Sequence, residues 1–233
     1  MTTVLLVRHG LTEATGIALS GRAPGLDLSE QGRAQAVNLA DRLATVPLTA
    51  LVTSPLERCL QTTRALVRDG LEPQVDERFI EVGYGDWTGR PLTELVKEPL
   101  WKVVQQHPSA AQFPNGESLA TTQARAVAAV RDWNARLGEQ ATYVVCSHGD
   151  VIKAVLADAL GLHLDQFQRI VVYPCSVSIV HYTPTRPFVV RVNDVGGSVA
   201  DLLPPPPGQQ PDRQRRAGEA VVGGDPGVSG DPR

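Results

Sequence analysis

Arg8-His9-Gly10 sets an imidazole beside a guanidinium directly after the apolar run Val4-Leu5-Leu6-Val7. An arginine neutralises tetrahedral oxyanions bidentately and cannot lose its charge, so it favours a neighbouring imidazole that stays neutral and nucleophilic. That pairing suits phosphoryl chemistry. Two further segments carry similar groups: Ser54 to Arg58 after Leu51-Val52, and Ser147-His148 after Tyr143-Val144-Val145-Cys146. If the three apolar runs are parallel strands, all of these groups meet at the carboxyl edge of one sheet, where open α/β folds bind ligands. Arg58 then lies in the first turn of a helix, where free N–H groups already favour an anion.

The elements needed to hold this arrangement are legible as periodicity. Ser29 caps a helix running to about Leu43, Leu56 to Arg68 forms a second, and Leu92 to about Val104 is helical with a break at Pro99. Phe113-Pro114-Asn115-Gly116 turns into a long helix ending at Leu137 before Gly138, and an amphipathic helix runs from about Asp150 to Leu160. Ile170 to Tyr173, Val177 to Tyr182 and Phe188 to Val192 are rich in β-formers and complete the sheet. Phe79 to Arg90 has no sustained period and is a loop held by Tyr84 and Trp87. The pattern predicts an α/β fold, three layers of αβα around a mostly parallel sheet, over residues 1–197. Residues 198–233, with Pro204-Pro205-Pro206-Pro207 and a Gly/Pro-rich end, predict a disordered tail.

The 233 residues include 42% hydrophobic ones, enough for a substantial core, and the formal charge of -3 argues against a dedicated nucleic-acid binder. Cys59, Cys146 and Cys175 lack metal-ligand spacing and read as free thiols in a reducing compartment. The first ten residues are too weakly apolar for a signal peptide, and no run reaches a membrane span, so the expected location is cytoplasmic. His9, His148 and Asp150 do not make a persuasive metal site beside Arg8 and Arg58, and the chain has no Walker A sequence. No metal or other cofactor and no membrane or nucleic-acid partner is expected; the expected partner is a small phosphorylated substrate, and a homodimer is compatible with the edge strands. His107, His163 and His181 have no matching partners and read as structural or exposed.

Five segments, VRHGLTE, TSPLERCLQTTRAL, ERFIEVGYGDWTG, PNGES and VVCSHGDVIKAVL, resemble in order and spacing the histidine phosphatase superfamily, the phosphoglycerate-mutase-like enzymes, from residue 4 to about 195. The resemblance implies that His9 forms a phosphohistidine, that Arg8, Arg58 and His148 bind phosphoryl oxygens, and that Glu81 protonates the leaving oxygen. A neutral imidazole among cations is a sensible attacker on a phosphomonoester dianion, and a desolvated Glu81 would hold its proton. Cofactor-dependent mutases of the family share an Arg after the catalytic Glu, paired arginines in a longer insert and a closing C-terminal segment. Here Val82 follows Glu81 and no paired Arg occurs between Gly89 and Ser118, which favours a phosphatase acting on small metabolites. Tyr84, Ser20 and Gly21 still match mutase substrate contacts, so a phosphoglycerate mutase is the alternative, and an idle phospho-ligand-binding module is the non-enzymatic one.

Other positions depart from the family pattern. Leu11 and Thr15 stand where Glu and Asn are frequent, and Thr15 can still donate to a phosphate oxygen. Asp150 replaces a frequent glycine and reads as a helix cap. Arg22, Arg90, Lys97 and Lys102 are candidates for a second anionic group of the substrate, or else solvated surface charges.

Overall fold

Parallel strands buried on both faces need apolar residues at every position, and the strand β1 (Thr2–Arg8) divides them between two cores. Val4 and Leu6 face one core and Leu5 and Val7 the other; along β4 (Thr142–Ser147) Tyr143 and Val145 join the first while Val144 and Cys146 join the second. The computed structural model describes residues 1–68 and 70–197. Within these, one six-stranded sheet has the order β3-β2-β4-β1-β5-β6, with β2 (Ala50–Thr53) and β3 (Pro73–Val75) completing the parallel part. The strands β5 (Val177–Tyr182) and β6 (Pro187–Asp194) run antiparallel along the other edge.

Helices α1 (Glu30–Leu43) and α2 (Glu57–Arg64) supply the smaller core. The larger core is built under α3 (Leu92–Leu95), α4 (Pro99–Gln106), α5 (Leu119–Leu137) and α6 (Gly149–Ala159). The architecture is the three-layer α/β sandwich that the pattern predicts. Ser29 Oγ accepts from the Gly32 amide and Ser118 Oγ from the Thr121 amide, each at 3.0 Å, so both helices start at side chains that satisfy an otherwise orphan N–H. Pro99 begins α4 and divides the expected 92–104 helix in two.

Three expectations fail locally: α2 stops at Arg64 short of the expected Arg68, no strand forms over 170–173, and α6 is not amphipathic. One strand lies outside the expected pattern. Within 170–173 the Val172 carbonyl instead accepts from the Arg8 guanidinium at 2.8 Å. The short strand β3, partly exposed and only three residues long, carries too little apolar pattern to be seen in sequence. Helix α6 is not amphipathic, because ten of its residues, including Asp150 and Lys153, are buried between the sheet, α5 and the Leu164–Arg169 turn. The boundary at 197 and the tail expected over 198–233 concern residues outside those described.

Candidate active site

Strand register brings the chemistry together. Arg8 pairs with Ser147 and Thr53 with Cys146, so His9, Ser54 and His148 emerge side by side at one sheet edge. The backbone continues the alignment past the strand ends: the His9 amide donates to the Ser147 carbonyl at 3.0 Å and the Ser54 amide to the Cys146 carbonyl at 2.9 Å. Gly10 follows because a Cβ there would lie 2.6 Å from the Gly32 carbonyl oxygen, which pins the start of α1 against the nucleophile's turn.

His9 is 6% exposed. Its Nδ1 lies 2.7 Å from the Gly10 carbonyl, an acceptor only, so Nδ1 carries the hydrogen and Nε2 the lone pair. Nε2 accepts from Arg58 Nε at 3.3 Å. Burial first, then the charges of Arg58 and Arg8, hold this imidazole well below the ordinary histidine pKa and keep it neutral. Arg58 is itself 1% exposed and reaches across the site, donating from Nη2 to the Gly21 carbonyl at 2.7 Å and to His148 Nδ1 at 3.3 Å. Its buried Nη1 has no hydrogen-bond partner among the described residues. A buried guanidinium N–H without an acceptor is costly, and an anionic oxygen in the pocket would satisfy it.

His148, fully buried, packs edge-on against His9 with ring centroids 5.2 Å apart, and its Nε2 lies 2.7 Å from Ser54 Oγ. Burial and then Arg58 keep it neutral as well. It does not line the pocket. It reaches the site through Arg58 and His9. The pocket wall is Arg8, His9, Thr12, Thr15, Ser20, Gly21, Arg58, Glu81 and Tyr84, with Gly16, Ala18, Leu19 and Leu92 at its sides. Thr15 Oγ1 accepts from the Thr12 amide at 3.0 Å, which fixes that hydroxyl at the wall.

Glu81 faces this cluster from the loop between Phe79 and Gly85. Ser147 Oγ donates to the Phe79 carbonyl at 2.7 Å, and Arg22 Nε and Arg125 Nη2 both donate to the Glu81 carbonyl, at 2.8 and 3.2 Å. Glu117 binds both arginines and also accepts from the Gly83 amide, so one carboxylate anchors the whole segment. Sequence reasoning missed this clamp. A helical Arg125 that turns inward has no local signature. With burial as the main cause and the Asp150 charge second, the Glu81 pKa is pushed up to about 7. The carboxyl group therefore retains its proton under mildly acidic conditions, as a general acid requires.

Two expectations are corrected here. Helix α6 is entered at His148, and the Asp150 carboxylate expected as its cap is instead held by the Tyr84 hydroxyl, which donates at 2.8 Å, and by Lys153 Nζ at 3.1 Å. None of Arg22, Arg90, Lys97 and Lys102 lines the pocket: Arg22 binds Glu117 and Arg90 binds Glu94 and Glu98. Arg8 and Arg58 are the only Lys or Arg side chains on its wall among the described residues.

A neutral imidazole between two guanidiniums, opposed by a carboxylic acid at the carboxyl ends of parallel strands, defines a phosphoryl-handling enzyme. The chain belongs to the histidine phosphatase superfamily, branch 1, whose family model matches residues 4–195. It is 31% identical over 200 residues to phosphoserine phosphatase 1 of Hydrogenobacter thermophilus, covering 83% of this chain and 92% of that protein. It is 33% identical to the glucosyl-3-phosphoglycerate phosphatase of Mycolicibacterium vanbaalenii, covering 70% of this chain and 76% of that one. A relative with a phosphoglycerate mutase name, GpmB of Enterobacter sp. strain 638, is 27% identical over 88% of this chain and 97% of its own length. Among solved structures, YhfR of Bacillus stearothermophilus superposes with a TM-score of 0.77 at 31% identity, covering 84% of this chain and 98% of that one. The protein is an enzyme of the phosphatase type.

Proposed function

We propose that this enzyme hydrolyses small phosphomonoesters by two displacements through a phosphohistidine on His9 Nε2. The observation that carries this reading is the locked tautomer: Nδ1 is committed to the Gly10 carbonyl, so the lone pair of Nε2 is the one presented beside Arg58. In the first displacement Nε2 forms the P–N bond while the P–O bond to the alcohol breaks, and Glu81 gives its proton to the departing oxygen. In the second, the Glu81 carboxylate takes a proton from water as its oxygen attacks phosphorus, and the P–N bond breaks to return neutral His9 and inorganic phosphate. Arg8 and Arg58 bind the non-bridging oxygens throughout, with Nη1 of Arg58 gaining an acceptor.

His148 contributes through its paired partner. Arg58 Nη2 donates to His148 Nδ1 and the neutral ring's hydrogen on Nε2 goes to Ser54 Oγ, so His148 acts by holding the guanidinium that binds the phosphoryl group. Thr15 and Ser20 are assigned to hydrogen bonds with the same group, and Gly21 to holding Arg58 through its carbonyl. Tyr84 has a narrower role than a mutase contact would need, because its hydroxyl hydrogen is committed to Asp150.

Among the described residues no third Lys or Arg stands on the wall, which favours substrates presenting one phosphoryl group and a largely neutral remainder, and favours water over a second phosphorylated acid as acceptor. The names of the relatives support phosphorylated metabolites of this size. A metabolite panel tests the reading, scored for released phosphate with excess EDTA and separately for conversion of 3- to 2-phosphoglycerate. Metal-independent release is expected. Mutase turnover exceeding hydrolysis would replace the reading with the mutase one.

A further inference from the structure

A buried ion pair next to an active site is an expensive feature, since two charges leave water and a hydrophobic pair of the same volume often serves the fold as well. Asp150 is fully buried and Lys153 is 2% exposed. They pair at 3.1 Å within the first turns of α6, two and five residues past His148. Their surroundings are closed: Lys153 Nζ donates to Gln168 Oε1 and sits 4.4 Å from the centre of the Phe167 ring. The second oxygen of Asp150 accepts from Tyr84, whose ring is also fully buried at the pocket wall. The pair therefore reaches the active site through Tyr84, three residues beyond Glu81 in the same loop.

We propose that Asp150 is a positioning residue for catalysis: through its hydrogen bond to Tyr84 it fixes the loop that carries Glu81 against the pocket and places a buried negative charge behind that loop, with Lys153 partly balancing it. This rests on the assignment of Glu81 as the general acid. Several charged or titratable groups surround Glu81. Arg8 and His9 face it from the end of β1, Arg58 from α2, and His148 from the start of α6, its Nδ1 4.0 Å from Glu81 Oε2. Arg22 and Arg125, both bound to Glu117, hold its carbonyl. All the cations favour the carboxylate form. Among the groups around Glu81, Asp150 is the charge that adds most to burial in opposing ionisation. Without it, the guanidiniums that bind the phosphoryl group would also tend to strip the acid of its proton.

The test is the pH dependence of kcat on an alkyl phosphate and on p-nitrophenyl phosphate. In Asp150→Asn the basic limb on the alkyl ester should move to lower pH, by on the order of one unit. Loss at neutral pH should be greater for the alkyl ester than for the nitrophenyl ester. In Lys153→Met the limb should move to higher pH, an opposite shift that simple damage to the fold would not produce. If Asp150→Asn does not fold, the double variant Asp150→Asn/Lys153→Met removes both charges and should show a smaller shift in the same downward direction; unfolding of both would assign the pair to the fold and overturn the proposal. An unmoved limb with equal losses on both esters would overturn it too. So would a fall on the alkyl ester to the level of Glu81→Gln, since Asp150 would then be the acid itself. Glu81→Gln separates the two readings: a basic limb that survives in that variant refutes the acid assignment, whereas a limb abolished there but unmoved in Asp150→Asn refutes this inference alone.

Discussion

Glu81 Oε2 and His148 Nδ1 stand 4.0 Å apart without forming an ion pair, because the buried imidazole stays neutral. Burial is the first cause on each side, raising the carboxyl to about 7 and lowering the imidazole. The enzyme should therefore work best on alkyl phosphates in mildly acidic solution, with kcat/KM falling above about pH 7 as Glu81 ionises. The acid limb, set by His9, should lie well below the ordinary histidine value. A pH–rate profile that rises through neutrality would contradict this.

Stability should follow the same groups. Glu81 has a raised pKa in the fold, so its contribution is full below the ordinary glutamate value and is lost as pH rises through about 7. His9 and His148 have lowered values, so theirs are present above the ordinary histidine value and lost as pH falls. Between about pH 6 and pH 8 the Glu81 contribution falls while the two histidine contributions grow, so removing the first in Glu81→Gln should make the urea midpoint rise more steeply with pH than in wild type.

His9→Ala should lower turnover by about three orders of magnitude or more and abolish the acid-labile phosphoenzyme together with it. Affinity for inorganic phosphate should persist through Arg8 and Arg58. Rapid-quench labelling with a radioactive substrate reports both, and labelled enzyme in the variant would place the nucleophile elsewhere.

Glu81→Gln should cost about 10²- to 10⁴-fold on an alkyl phosphate and much less on p-nitrophenyl phosphate, whose leaving oxygen needs no proton. Comparable losses on the two esters would remove the general-acid role.

Arg58→Lys keeps one charge but cannot reach His9, Gly21 and His148 together, as the fork does at 3.3, 2.7 and 3.3 Å. A loss in kcat/KM of about 10²-fold or more is expected, with weakened vanadate binding measured by inhibition. Near wild-type values would show that charge alone suffices.

Gly85 has φ +54, and an added Cβ would lie 1.9 Å from the Pro114 carbonyl oxygen. Gly85→Ala should therefore destabilise the loop that carries Glu81 by about 1–3 kcal/mol and reduce activity with it. Ser118→Ala should cost about 1 kcal/mol through the lost cap and leave kcat nearly unchanged. Urea melts and steady-state rates on the two variants separate the effects.

Residue types and order carried much of this protein. The apolar runs ending in His9, Ser54 and His148 disclose parallel strands, because strands buried on both faces cannot tolerate polar positions, and a polar residue marks where each one ends. Ser29 and Ser118 disclose their helices because a cap acts within one turn. What sequence left undetermined is non-local. The clamp of Arg22, Arg125 and Glu117 joins residues up to 103 positions apart. The Val172 carbonyl takes a side-chain hydrogen bond that no periodicity signals. Asp150 looked like a helix cap because its sequence neighbours are a helix start, yet its partners are Tyr84 from another loop and Lys153 below it. The sequence by itself determined which groups meet at the sheet edge; only tertiary packing decided their charge states, because desolvation and Coulomb interaction depend on distances between segments far apart in the chain.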